Sequence, residues 1–149
     1  MKYTRDIIAL LISPAITAAC ATVLSEFFYS SSGVLELSDY VLIVSFPAAY
    51  IFAVIFGLPS ISILEEKNKL TVLWVTITGL ILGVIAFLSI DFVVSEINEN
   101  HYGERGYFWG AFVNNHILLI PISGFSAAVG AFVYCKISGI TNRSRKWTR

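Results

Sequence analysis

Charge is scarce in this sequence: ten lysines and arginines and ten acids make up only 13% of its 149 residues, against about 25% in a soluble domain. The shortage excludes an ordinary water-soluble globule, which needs charged groups to coat its surface. Cysteine and histidine are sparse too, at two each. Cys20 falls in the middle of one apolar run and Cys135 near the end of another, which puts them well beyond the roughly 7 Å between Cα atoms that a disulfide allows. Both read as small packing residues. His101 stands beside Glu99 and Glu104 with no cysteine or second histidine at ligand spacing, so no metal site is expected. Phosphate loops, paired-cysteine motifs and catalytic signatures are missing. The serine of "GFSAAVG" lies deep in an apolar run with no sign of a nucleophile elbow. No catalytic activity, cofactor or nucleic-acid partner is expected.

What the chain has is apolar sequence, 56% of its residues. Crossing a hydrocarbon core of roughly 30 Å takes about 20 apolar residues at about 1.5 Å of rise each. Four windows are long enough, approximately 7–29, 40–60, 70–94 and 108–135. They predict an all-α, four-helix transmembrane bundle, a single membrane domain with short connections and a basic tail over 136–149. Lys2, Arg5, Lys67, Lys69, Lys136, Arg143, Arg145, Lys146 and Arg149 fall on one side of these spans and only Arg105 on the other. The positive-inside rule then puts both termini in the cytoplasm, and the bilayer itself is the first partner. In the tail, Arg143, Arg145, Lys146 and Arg149 flank Trp147. That cluster suits either a topological anchor or contact with anionic head groups. "MKYTR" followed by "IIALLISPAITAACA" also fits a secretory signal with a small-residue site at Ala19 to Ala21. Apolar sequence continues past that site through "ATVLSEFFY", which favours a retained first span.

Small residues mark the faces on which membrane helices meet, since close backbone approach replaces the hydrophobic drive that lipid removes. In span one, Ala15, Ala19, Thr22 and Glu26 fall on one narrow stripe. In span three, Gly79 and Gly83 form a G-x-x-x-G pair with Thr76 and Ala86 on the same side. Pro47, Gly57 and Pro59 are expected to bend or end span two, with "LEEKNK" making a tight solvated turn.

The run "FVNNHILLIPISG" carries polar residues into span four. On a helical wheel Ser123, Ala127, Gly130, Ala131 and Tyr134 lie within about 60° of His116, whereas Asn114 points nearly the opposite way and Asn115 to the side. His116 lies roughly 12 Å, and Glu26 roughly 6 Å, below the outer boundary. Because helical side chains lean toward their own amino termini, the two lean toward one level. Glu26 and His116 are therefore expected to pair on the outer half of the bundle, with Asn115 and Asp91 nearby. Such a pair serves either as a proton- or cation-responsive site or as interhelical glue at about 0.6 kcal/mol per hydrogen bond. Pro121 leaves the carbonyl of Ile117 without its usual donor.

In the number and size of its spans the chain resembles small four-span proteins of bacterial inner membranes. That resemblance of architecture implies a multi-pass inner-membrane protein and no particular mechanism. Glu26 is similar to the acidic first-span residue of small multidrug resistance exporters. It sits at the outer end rather than mid-span among unlike neighbours, so that activity is not carried over. The expected function is non-catalytic: an accessory, binding or protective protein with a membrane-protein partner or a second copy of itself. A small proton- or cation-coupled transporter or channel is the alternative.

Overall fold

The computed structural model describes residues 2–29, 46–67, 69–102 and 117–140, with the backbone alone at 2, 3, 29 and 91–102. Every regular element among these residues is helical. We label the helices α1 (Lys2–Tyr29), α2 (Phe46–Glu66), α3 (Val72–Tyr102) and α4 (Leu119–Ser138). All four are long and apolar enough to cross a membrane.

Their ends differ from the hydropathy windows. α1 begins at Lys2 instead of Ile7, α2 continues past Ser60 to Glu66, and α3 continues past Val94 to Tyr102. Hydropathy marks where a helix crosses hydrocarbon and not where its hydrogen-bond ladder stops. "SEINENHY", expected in the outer loop, contains no glycine or proline to stop it and is helical. Residues 40–45 and 108–116 of the expected spans, and the basic cluster at Arg143, Arg145, Lys146 and Arg149, lie outside the described residues.

The prolines disturb the helices less than their number suggests. Pro121 sits in the first turn of α4, where backbone N–H groups have no intrahelical acceptor anyway. The ladder break expected at Ile117 therefore falls ahead of the helix. Pro59 does not end α2 either. The chain ahead of it forms a π-helical turn, Ala53–Gly57, from which an α-helix runs on through Glu66. α4 stops where Gly139 turns left-handed at φ 77°, a conformation that costs glycine little. Cys135 O then accepts from the N–H groups of both Gly139 and Ile140, the latter at 2.9 Å.

α4 is the central helix, packed along α1 on one side and α3 on the other. It runs antiparallel to both: Gly130 faces Ser13 and Thr17 of α1, and farther along α4 Gly139 faces Arg5. On the other side Gly83 meets Ala127 and Ser123, and Gly79 meets Ala131. The interior is built from small side chains: Ala9, Ser13, Ala18, Ser25, Ser126, Ala128 and Cys135 are buried. Ile7, Leu11, Phe27, Leu73, Ile85, Phe125 and Phe132 stand on the outside. Water would penalise such an exterior, whereas lipid tails are as apolar as leucine and leave close packing to hold the helices together.

α2 is different. None of its membrane-crossing stretch is buried, and it touches α3 only lightly. Among the described residues a side-chain bond ties it to α1: Tyr50 Oη donates to Leu11 O at 2.6 Å. Pro14 lies three residues beyond Leu11 and offers no N–H to the ladder, which loosens that turn of α1 for an outside donor.

Candidate functional site

Between α2 and the layer formed by α1, α4 and α3 lies a partly open cleft of about 210 Å³. α1 contributes Leu10, Pro14, Thr17 and Ala21 to its wall; α2 contributes Ala49, Phe52, Ala53, Gly57 and Leu64; α3 contributes Val75, Gly79, Gly83 and Ile90. From α4 come Ser123, Ser126, Ala127, Gly130, Ala131 and Tyr134. The cleft exists because the residues that face α2 are small. Helices can close on one another by glycine and alanine contact only in pairs, and α4 already makes that contact with both α1 and α3. α2 lies against the remaining face, and its lining side chains, Phe52 and Leu64 among them, leave part of the space unfilled.

The wall carries almost no charge chemistry. Among the described residues that line it, Tyr134 is the one titratable side chain. Two hydroxyls along it are committed to their own helices: Thr17 Oγ1 donates to Ser13 O at 3.0 Å, and Ser123 Oγ to Ile120 O at 2.8 Å. Such back-bonds satisfy a hydroxyl where lipid offers no partner. Ser126 Oγ is buried with no hydrogen-bond partner, as is Thr76 Oγ1 on α3. Among the described residues no group of three or more histidines, cysteines or acids stands close enough to hold a metal ion.

A sealed apolar void is expensive at about 24 cal/mol per Å³. For a space of 210 Å³ that is on the order of 5 kcal/mol, an upper bound for a cleft that is partly open. Water relieves little of it, since each buried water needs two to four polar partners and this wall has few to spare.

The residues singled out in the sequence distribute unevenly around this site. Ser123 and Ala127 line the cleft and also pack against Gly83, whose position admits no side chain: a Cβ there would stand 2.5 Å from that of Ala127. Gly79 is as tight against Ala131, also at 2.5 Å. On α1 the face expected to pack is corrected. Ala19 and Glu26 are exposed, and Ala15 and Thr22 are only half-buried. The buried residues are Ala9, Ser13, Ala18 and Ser25, centred roughly 160° around the helix from Glu26 at about 100° per residue. α1 carries small residues nearly all the way round over residues 13–22, so composition leaves several equivalent stripes. What selects among them is Gly130 of α4, which accepts Ser13 and Thr17 against its bare Cα.

Glu26 is exposed, on the side of α1 away from Ser13 and Thr17, which meet Gly130 of α4. His116 and Asn115 lie outside the described residues, as does the side chain of Asp91. Cys20 is half-buried and Cys135 buried; both are free thiols. Ser123, Ala127, Gly130, Ala131 and Tyr134, which share one face of the wheel, all line the cleft, whereas α2 as its fourth wall has no sequence signal, because an empty space leaves no pattern in a sequence. Compared with models of protein families, with curated proteins and with solved structures, the chain matches none.

Proposed function

We propose that this is a multi-pass protein of a bacterial inner membrane that works by binding within the bilayer and catalyses no reaction, as an accessory or protective protein. The observation that carries this reading is the cleft wall: apolar and hydroxyl side chains surround it, and among the described residues no carboxylate, imidazole or cationic side chain lines it. Ion coupling needs a group that changes charge along the path, and this wall offers only a tyrosine. The transporter alternative rests on Glu26 and His116, and Glu26 is turned away from the bundle interior.

Reconstituted into liposomes, the protein is expected to pass neither protons nor monovalent cations above the leak of empty vesicles, and Glu26→Gln is expected to change nothing. Proton flux that Glu26→Gln abolishes would sink this reading in favour of the transporter. Crosslinking in intact cells is expected to trap a constant membrane partner or a second copy.

Both termini face the cytoplasm in this proposal. Supporting it, Arg5 lies against Gly139 at the end of α4, so the start of α1 and the end of α4 share one end of the bundle. Lys136 lies over the ring of Phe132, and Lys69 over that of Trp74, both at 5.2 Å. These cation–π contacts suit long basic side chains held at a membrane interface. A reporter that is active only in the cytoplasm, fused after Arg149, is expected to be active; a periplasm-only reporter active at that position would reverse the orientation.

A further inference from the structure

We propose that the amino-terminal part of α2, residues 46–52, is a lateral gate between the cleft and the bilayer, pivoting at the π turn and latched by the bond from Tyr50 to Leu11. This goes beyond the reading above, which assigns no moving part.

Three observations place a moving part here. The first is where α2 is fixed. Its carboxyl-terminal part, Leu58–Glu66, runs into a short turn, where Lys67 N–H donates to Ile63 O at 3.1 Å and Lys69 N–H to Leu64 O at 2.8 Å. Thr71 then caps α3, its Oγ1 accepting from the N–H of Trp74 at 3.4 Å. This end of α2 is held. At the other end, among the described residues, the hydrogen bond that ties 46–52 to another helix is the one from Tyr50 Oη to Leu11 O, at 2.6 Å.

The second is a pivot between the two parts. The π turn Ala53–Gly57 has no buried residue, and Leu58 N–H donates to Ala53 O, one residue farther back than in an α-helix. Pro59 follows and brings no N–H to the ladder. Helices bend sharply at prolines and at π turns, and here the two adjoin. A Cβ built on Gly57 meets nothing nearer than 3.9 Å, so the turn also has free space around it.

The third is what lies behind the gate. Ala48, Ala49 and Phe52 line the cleft, so across the unfilled space this part of α2 has few protein neighbours to lose. Swinging outward exchanges those contacts for lipid, whose tails are as apolar as leucine. The latch is then the main interaction to break. Leu11 O can release it without harm to α1, because a backbone carbonyl has two lone pairs and keeps one for its own ladder. Opening joins the space beside Thr17 and Ala21 of α1 to the bilayer.

The test measures distances between paired spin labels on the full chain in liposomes, with Cys20→Ala and Cys135→Ala removing the native thiols. One pair, Ile12→Cys with Ile51→Cys, flanks the latch; the other, Ile63→Cys with Leu73→Cys, spans the held end, and all four positions are exposed. The first pair is expected to show a short and a long distance, and the second a single one. Tyr50→Phe is expected to raise the long-to-short ratio about five-fold, as losing one hydrogen bond of ordinary net strength does. Gly57→Ala combined with Pro59→Ala stiffens the pivot and is expected to lower that ratio at least about two-fold. Thermal unfolding checks the fold of each variant, and if one does not fold the other decides. A single distance at the latch pair in the parent and in Tyr50→Phe alike, a ratio that the folded variants leave unchanged, or equal spread at both pairs would overturn the gate. The flux experiment stands apart from these outcomes, because it reads charge movement and not the position of α2.

Discussion

Gly130→Leu separates α1 from α4 and leaves little folded protein. A Cβ at this position would collide with Thr17 Oγ1 and stand 2.9 Å from the carbonyl oxygen of Ser13. Neither neighbour yields easily. The Thr17 hydroxyl is held to that same carbonyl at 3.0 Å, and the carbonyl belongs to the helix backbone. Relief therefore requires moving one helix away from the other. Dispersion contacts fall off steeply with such a gap, and in lipid no hydrophobic term replaces them. Overpacking typically costs about 1–3 kcal/mol, a range expected for Gly130→Ala, and leucine exceeds it. Gly57→Ala is the control with the opposite sign. Its Cβ meets only Phe52 O at 3.9 Å and Ala53 Cβ at 4.0 Å, so replacing a helical glycine is neutral or gains up to about 1 kcal/mol. Reversible unfolding in mixed micelles reads both. Adding Thr17→Gly to Gly130→Ala should recover part of the loss, with a coupling of about 0.5–3 kcal/mol, because the pair is in direct contact. Equal stability of Gly130→Leu and the parent would mean that this seam does not hold the bundle.

The contrast between Gly79 with Gly83 and the stripe on α1 shows which parts of the fold could be read from the sequence. In span three, large aliphatic residues surround the two glycines, so only one line along the helix permits close approach, and the structure places α4 on that line. In α1 the small residues Ser13, Ala15, Thr17, Ala18, Ala19 and Ala21 occupy several directions at once. The stripe through Ala15, Ala19, Thr22 and Glu26 rests on small residues at helical spacing, a pattern that other directions of α1 share, and the geometry of Gly130 selects another. The wheel around His116 grouped Ser123, Ala127, Gly130, Ala131 and Tyr134, and all five line the cleft. The void was illegible because it results from what α2 fails to fill, a property of two faces together. Pro59 misled for a related reason. Ending a helix inside hydrocarbon would strand its last four carbonyls, so the chain accommodates the proline and continues.

That accommodation yields the second large effect: deleting Val54 destabilises the protein by about 3 kcal/mol while Pro59 is present, and much less once Pro59 is alanine. In the π turn Leu58 donates to Ala53 O, one residue farther back than in an α-helix. Pro59 comes next. In a regular helix its ring would press on the carbonyl of Ile55 and leave it without a donor. The wider turn carries that carbonyl clear of the ring, and removing one residue restores the tighter spacing and with it the clash. α2 is poorly placed to absorb the strain, because it has no buried residue in its membrane-crossing stretch and leans on α1 and α3 at few points. A kink would draw Ala49 and Phe52 away from the cleft and break the bond from Tyr50 to Leu11 O. Pro59→Ala alone should be neutral or mildly stabilising, since it only returns a donor to the ladder. The deletion combined with Pro59→Ala should then unfold close to the parent. If the single deletion unfolds no more easily than the double variant, the π turn is not there to house the proline, and its place beside the cleft would need another cause.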